Sequence, residues 1–370
     1  MSRVYHYCPS ITRRDAIGYS LMILHRAMLR AGIRSYLVSD QEVVMHAPPS
    51  TLGFNEFEAL KPNSDDLVLF HYSFRDRNAT SMMALSCRKI MIYHNITPGN
   101  FFRSAGQHHV ADHCDAGRAF LNDMKDSFDA VVADSAYNAH ELVNYGFPTP
   151  RVIPVFYNDV FFANGSHQNE EFLARRLAGE LSLVFIGRYV PNKRPDNLIR
   201  VAATLKNLFK LPVRLRLHGK VWDRNFLIEL RRLAEHLGVE HEVSFEQNQP
   251  QAALRTSLAS ADAFVSASEH EGFMVPLVEA FSAGCPVVAV ASTAVTETCG
   301  PAGCLVHTSD MEEVAAHIVL ISRDRELRQT MIRTQSARAA DFAEARTMGK
   351  WNALLSNFIE GSLVADAHRV

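Results

Sequence analysis

Apolar, β-rich runs of strand length alternate with segments of helical periodicity along nearly the whole of this 370-residue chain. That alternation leaves few folds open. Strands apolar on both faces must be covered on both, which parallel sheets achieve with crossover helices. In the first half, strands are predicted at residues 3–7, 35–38, 67–71, 89–94, 130–133 and 151–153. A helix over 19–31 carries Leu21, Leu24 and Met28 at core spacing and stops at Gly32; another over 136–144 stops at Gly146. Residues 155–179 break the rhythm with Asn–Asp and Asn–Gly–Ser turns and read as a linker with an entry helix. A second series follows, with strands at 182–186, 214–218, 243–246, 263–268, 286–290 and 303–306, and a helical segment over 323–358. The chain is too long for one ordinary core. The expected architecture is therefore α/β, with two tandem Rossmann-like doubly wound domains over 1–157 and 158–345. The segment 346–370 is expected to pack back towards the first domain. Ligands of such sheets bind outside the carboxyl ends of the strands.

Composition narrows the function. Hydrophobic residues at 47% and charged residues at 21% describe a soluble globular enzyme. A net charge of −2 leaves no basic footprint for a nucleic acid. Apolar runs such as 263–267 and 287–291 are strand-length, far short of the ~20 residues of a membrane span. The N-terminus MSRVYHYCPS has no apolar signal region, and six cysteines without a CxxC pair read as free thiols, so a cytoplasmic protein is expected.

Two constellations carry chemistry. Residues 271–279, EGFMVPLVE, place Glu271 in a loop after a strand and Glu279 about one turn inside the helix that Pro276 opens. A helix N-terminus favours phosphate, and a carboxylate one turn in accepts hydrogen bonds from a sugar diol. Upstream, a strand ends in Gly187, followed by Arg188 and Lys193 in a tight loop; two such cations suit a diphosphate. Taken alone, this reads first as a solvated basic loop; the glutamate loop about 80 residues downstream reverses that balance. His94 ends another apolar strand and either caps its loop or serves a site. His109, His113 and Asp115 share a helix-like spacing, but no glutamate base lies between the histidines, and no metal is expected.

Taken in order, Gly-Arg-x4-Lys, E-x7-E and Ala280-Phe-Ser-Ala-Gly284-Cys-Pro286-Val-Val-Ala289 resemble the family 4 retaining glycosyltransferases of the GT-B fold. The resemblance implies that Arg188 and Lys193 hold the donor diphosphate, Glu279 the ribose and Glu271 the transferred sugar. Gly187 and the main chain of Gly272, Phe273, Met274 and Val275 would line the donor, and His94 would reach its sugar. Where the family has Gly-Gly after the first strand, this chain has Arg13, Arg14, Asp15 and a single Gly18. These, with Arg75 and Arg77, are acceptor-side candidates, and a solvated turn capped by Asp15 is the alternative. The implied activity is transfer of a mannose- or glucose-type hexose from a nucleoside-diphosphate sugar to a glycan or lipid-linked glycan. It needs neither metal nor cofactor, and a lipid-linked acceptor would bring the protein to the cytoplasmic membrane face. The alternatives are a catalytically silent sugar-nucleotide-binding subunit and another GT-B enzyme, such as a sugar-nucleotide epimerase.

Overall fold

The structure, a computed structural model, describes residues 2–12, 15–40, 50–163, 178–308 and 310–363. Arg13, Arg14 and residues 164–166 of the expected linker lie outside the described residues. The chain divides into two compact units. One comprises Met1–Asn100, Gln107–Tyr157 and Phe342–Val370; the other comprises Phe101–Gly106 and Asn158–Asp341.

The first unit holds a parallel sheet of seven strands: β1 (Arg3–Tyr7), β2 (Arg34–Ser39), β3 (Thr51–Gly53), β4 (Leu67–Tyr72), β5 (Arg88–Tyr93), β6 (Ala130–Ala133) and β7 (Arg151–Val152). Their order is β3-β2-β1-β4-β5-β6-β7. The strand period of two sorts side chains cleanly. Tyr5 and Tyr7 of β1, Val68 and Phe70 of β4, and Met91 and Tyr93 of β5 enter one core cluster. Val4, Leu67, Leu69, Ile90 and Ile92 enter the cluster on the other face. Into that second cluster the helix Glu344–Leu355 inserts Met348, Trp351, Leu354 and Leu355, followed by Ile359 and Leu363. The side-chain amide of Asn352 then fixes the end of the tail. Its Nδ2 donates to the Leu363 carbonyl at 2.6 Å and its Oδ1 accepts from the Leu363 amide at 2.7 Å.

The second unit is built on β8 (Leu181–Ile186), β9 (Val213–Gly219), β10 (Val243–Gln247), β11 (Ala263–Ser266), β12 (Val287–Val290) and β13 (Cys304–Val306). These six run parallel in the order β10-β9-β8-β11-β12-β13. The chain steps outward from β8 to β9 and β10, then returns to lay β11 on the other side of β8. That reversal makes the carboxyl ends of β8 and β11 neighbours, with Ala263 opposite Leu183 and Phe264 opposite Val184. Doubly wound sheets bind ligands at such a switch point.

Several local expectations change. The first helix begins at Ala16, ahead of residue 19, because the Asp15 carboxylate caps it by accepting from the Gly18 amide at 2.6 Å. The three-residue edge strand β3 and the helix Phe54–Ala59 have no counterpart in the sequence reading; β3 is too short to show a period. The predicted helical segment over 323–358 is broken. The helices Met311–Arg323 and Arg325–Ala339 meet at Asp324, whose carboxylate caps the second by accepting from Leu327 at 2.9 Å, and a 3-10 turn precedes Glu344–Leu355. All six cysteines are free thiols. Among the described residues, no helix is long and apolar enough to cross a membrane.

Trp351→Ala removes the largest side chain that the last helix places in the first unit's core. It should destabilise that unit by about 3–5 kcal/mol, read as a lowered urea midpoint. A midpoint within experimental error of the parent would mean the tail contributes no core.

Candidate active site

β8 ends in Gly187, which the Gly219 main chain approaches closely; a Cβ on Gly219 would lie 2.0 Å from the Gly187 carbonyl oxygen. Two such glycines let the loops after β8 and β9 leave the sheet side by side. Tyr189, fully buried, locks them: its amide donates to the Lys220 carbonyl at 3.1 Å and its hydroxyl donates to the Leu217 carbonyl. Pro191–Lys193 forms a 3-10 turn, and Arg194, at φ +48, starts the helix Pro195–Asn207.

The turn is stitched to the loop after β11. Buried Asn192 donates through Nδ2 to the His270 carbonyl at 3.0 Å, while its own carbonyl accepts from the Glu269 amide at 2.9 Å. Arg194 holds Asp196 through Nε at 3.0 Å and Nη2 at 2.9 Å, and reaches Glu269 with Nη1. Lys193 Nζ pairs with Glu271 Oε2, both side chains largely shielded. The structure thus brings Lys193 and Glu271 into direct contact, where the family resemblance implies separate ligand groups for them. Arg188, by contrast, is exposed, and its guanidinium lies 5.8 Å from the ring of Trp222.

The Glu271–Glu279 segment has the form read from sequence. Thr293 secures its start, accepting from the Glu271 amide at 2.8 Å and donating to the Glu271 carbonyl at 3.0 Å. Thr298 donates to the Phe273 carbonyl at 2.6 Å. Met274 takes φ +77 and ψ +67 as the N-cap, a left-handed conformation that costs a side-chain-bearing residue about 1–2 kcal/mol. That turn sets the main chain of Gly272 to Val275 at the N-terminus of the helix Val275–Ser282, with Pro276 in its first turn. Glu279 lies one turn further in. Burial pushes its pKa up to about 8. A carboxyl in that state suits a neutral hydrogen-bonding partner such as a sugar hydroxyl.

In the first unit, His94 follows β5. Its Nδ1 lies 2.8 Å from Asp134 Oδ2 and its Nε2 lies 3.0 Å from His71 Nδ1. Its side chain is only 2% exposed, so both ring nitrogens have partners within the unit. Reaching a sugar hydroxyl requires the ring to give one of them up. The histidine row continues inward: the His71 ring stacks 6.0 Å from His6, which meets His25 edge-on at 5.8 Å. Asn95, at φ +70, turns the chain after His94, and its Nδ2 donates to Asn138 at 2.9 Å and Glu141 at 3.1 Å.

Of the acceptor-side candidates, Asp15 is the helix cap already described, and Gly18 packs where a Cβ would lie 1.8 Å from the Thr12 carbonyl oxygen. Arg75 sits over the Phe120 ring at 4.4 Å. Arg77 pairs with Asp40 at 2.5 Å, its side chain 52% exposed at the carboxyl end of the sheet. Asp115 accepts from the Gly99 amide at 3.0 Å. Among the described residues no group of three or more His, Cys, Asp or Glu is placed to hold a metal ion.

Residues 169–338 match the family described as "Glycosyl transferases group 1". The chain is 32% identical over 253 residues to a D-inositol 3-phosphate glycosyltransferase of Thermomonospora curvata, covering 63% of this chain and 56% of that relative. It is 23% identical to the O-antigen chain mannosyltransferase B of Escherichia coli, covering 69% of this chain and 67% of the relative. The chain thus spans about half to two thirds of the length of these two relatives. The structure superposes on sucrose-phosphate synthase from Thermosynechococcus elongatus with a TM-score of 0.75 at 18% identity, covering 97% of this chain and 99% of that one. Against HepE from Anabaena in complex with UDP-glucose the TM-score is 0.74 at 17% identity, covering 96% and 100%. Both chains share the two-unit α/β architecture, and the fold is GT-B.

The sequence reading missed Asn192, Arg194 and Glu269, which tie the loops after β8 and β11 together. Asn192 and Arg194 flank Lys193 in the quoted motif, but nothing in one sequence distinguishes a loop clamp from a ligand contact. It also missed Phe101, whose ring lies 6.0 Å from His270, next to Glu271.

The histidine row makes the first unit acid-sensitive. Burial holds His6 and His71 well below the ordinary histidine range and lowers His25 to about 4. In the unfolded chain each takes a proton near pH ~6.5. Below that pH the unfolded state binds more protons, so stability is full above it and declines as pH falls. The urea midpoint should drop between about pH 7.5 and about pH 5, by up to ~1.4 kcal/mol per pH unit for each histidine. His6→Leu should flatten that slope; an unchanged slope would show that His6 titrates normally.

Proposed function

We propose that this protein transfers a mannose- or glucose-type hexose from a nucleoside-diphosphate sugar to a glycan or lipid-linked glycan, with retention at the anomeric carbon. The observation that carries the reading is the Lys193–Glu271 pair at the adjoining carboxyl ends of β8 and β11, with Arg188 in the same loop as Lys193 and Glu279 one turn into the helix that follows Glu271. Arg188 and Lys193 supply the positive charge a diphosphate needs. Glu271 and Glu279 supply carboxylates for the hydroxyls of the transferred sugar and of the ribose. The Gly272–Val275 turn presents a helix N-terminus, whose partial positive charge favours the phosphates.

Chemistry follows from where charge develops. The bond between the anomeric carbon and the diphosphate oxygen breaks, and both electrons leave with the diphosphate. The acceptor hydroxyl bonds to the anomeric carbon from the same face, and its proton passes to the departing phosphate oxygen. Fixed cations and dipoles aimed at that oxygen lower the barrier without reorganising. In this reading Lys193 exchanges Glu271 for the diphosphate as the donor binds, and Glu271 turns to the sugar. The charge stabilisation comes from side chains and the helix terminus, so no metal is invoked. The reaction belongs on the cytoplasmic side, where nucleotide sugars are made, and a lipid-linked acceptor would draw the protein to the membrane face.

Incubating the full chain with a panel of nucleoside-diphosphate hexoses should reveal release of nucleoside diphosphate from one of them, undiminished by EDTA. Lys193→Ala should lower kcat by about 100-fold. Binding of a donor without turnover of any would favour a sugar-nucleotide-binding subunit, and loss in EDTA that Mg²⁺ restores would overturn the metal-free mechanism.

Glu279 gives a pH signature. With its pKa at about 8, the carboxyl is mostly protonated near neutrality. Two hydroxyl donors of a ribose favour the ionised form, so binding should release a proton. Nucleoside diphosphate affinity should therefore rise from about pH 7 to about pH 9. Calorimetry in buffers of different ionisation enthalpy should show proton release that Glu279→Gln abolishes; pH-independent binding by the parent protein would remove Glu279 from the ribose.

A further inference from the structure

Trp222 is the one aromatic among the large hydrophobic side chains exposed in the described residues, at 53%. It leaves the sheet just past the carboxyl end of β9, and the backbone that presents it is held firmly. Val221 bridges to Tyr189, Gly219 packs against the Gly187 carbonyl, and buried Tyr189 ties the loops after β8 and β9 together. The ring stands 5.8 Å from the Arg188 guanidinium, also exposed. An exposed indole costs hydration and would ordinarily fold against the surface; here it is displayed beside a cation.

Sheet order gives the display a meaning. Across the carboxyl edge of the second unit, the loop after β11 supplies carboxylates, the loop after β8 supplies Arg188 and Lys193, and the loop after β9 supplies Trp222. Hydroxyl-binding groups, cations and a flat aromatic face follow one another. A nucleoside-diphosphate sugar presents its parts in a matching sequence: sugar, diphosphate, base.

We infer that Trp222 is the stacking wall for the donor's nucleobase and a determinant of donor affinity, an inference that rests on the sugar-nucleotide reading above. Every base offers a π-face, so the wall itself sets affinity for a nucleoside rather than choice among bases. The polar loop after β10, Gln247-Asn248-Gln249-Pro250, lies on the far side of β9 and is left to discriminate hydrogen-bonding edges.

The chain has two tryptophans, and the other, Trp351, is 4% exposed in the core of the first unit. Both indoles emit, so the part of a ligand-induced change that Trp222→Phe removes reports on Trp222. Titrating the full chain with UDP, GDP and ADP should give saturable quenching with at least one of them, absent in Trp222→Phe, which should still bind that nucleotide within about threefold by calorimetry. Trp222→Ala should bind it about tenfold more weakly, yet bind inorganic pyrophosphate as the parent does. Because the side chain is exposed, both variants should keep the parent's urea midpoint. If Trp222→Ala binds nucleotide as tightly as the parent, the stacking wall is overturned while the sugar-nucleotide reading stands. Equal losses for nucleotide and pyrophosphate would overturn stacking too, showing that Trp222 acts through Arg188. If the parent binds none of the three nucleotides, the sugar-nucleotide reading itself fails.

Discussion

The geometry of the carboxyl edge of the second unit depends on the stitching of the loop after β8 to the loop after β11. Two strands that are neighbours in the sheet but separated by some 80 residues of chain would ordinarily end in independent, mobile loops. Here Asn192 spends both its side-chain amide and its carbonyl on residues 269 and 270, and Arg194 spans Asp196 and Glu269. Asn192 is 3% exposed, so its bonds are made out of water, where breaking them leaves buried polar groups unpaired at a cost of about 1–3 kcal/mol each. These contacts let the chain tolerate left-handed backbone at Arg194 and Met274, positions where a glycine would be unstrained. A site that must meet developing charge without rearranging needs its groups fixed beforehand.

That rigidity bears differently on the two glutamates. Glu271 is matched by Lys193, and each holds the other in a defined rotamer. A diphosphate and a sugar hydroxyl can replace this pairing with little net change in charge, because one anion takes Lys193 as a neutral donor takes Glu271. Glu279 has no such counter-ion; burial alone sets its state, and a ligand hydroxyl relieves a penalty already present. The same motif therefore contains one carboxylate already paired with a cation and one whose state is set by burial.

Period and punctuation carried most of the fold. Residues at 67–71 and 89–94 are apolar on both faces and can only be interior parallel strands; they are β4 and β5. Glycines 32 and 146 do end helices, both at positive φ. Strand β3 escaped because three residues, Thr51–Gly53, cannot display a period. The break at Asp324 escaped because its signal is a single capping side chain inside continuous helical composition. At the site, the motif residues were legible because charge and glycine punctuation fall at strand ends. Partnerships were not: that Lys193 pairs with Glu271, or that His94 is held by His71, follows from which strands adjoin, and sheet order is not written in local sequence.

The histidine row shows what that hidden adjacency does. With the Asp134 carboxyl ionised and the His94 ring neutral, the carboxylate accepts from His94 Nδ1 and His94 Nε2 is an acceptor. His71 must then donate from Nδ1, which leaves its own Nε2 as a bare lone pair, buried and without a partner. Both ring nitrogens of His6 are likewise buried and unpaired. Interiors rarely keep such groups, since each costs stability that an apolar residue would not. The arrangement is intelligible if His71 exists to set the tautomer and angle of His94: an aliphatic residue at 71 would leave that ring free to turn. It also limits His94 itself. A hydroxyl that approached the ring through Nε2 would compete with the His71 contact and leave the Asp134 contact in place.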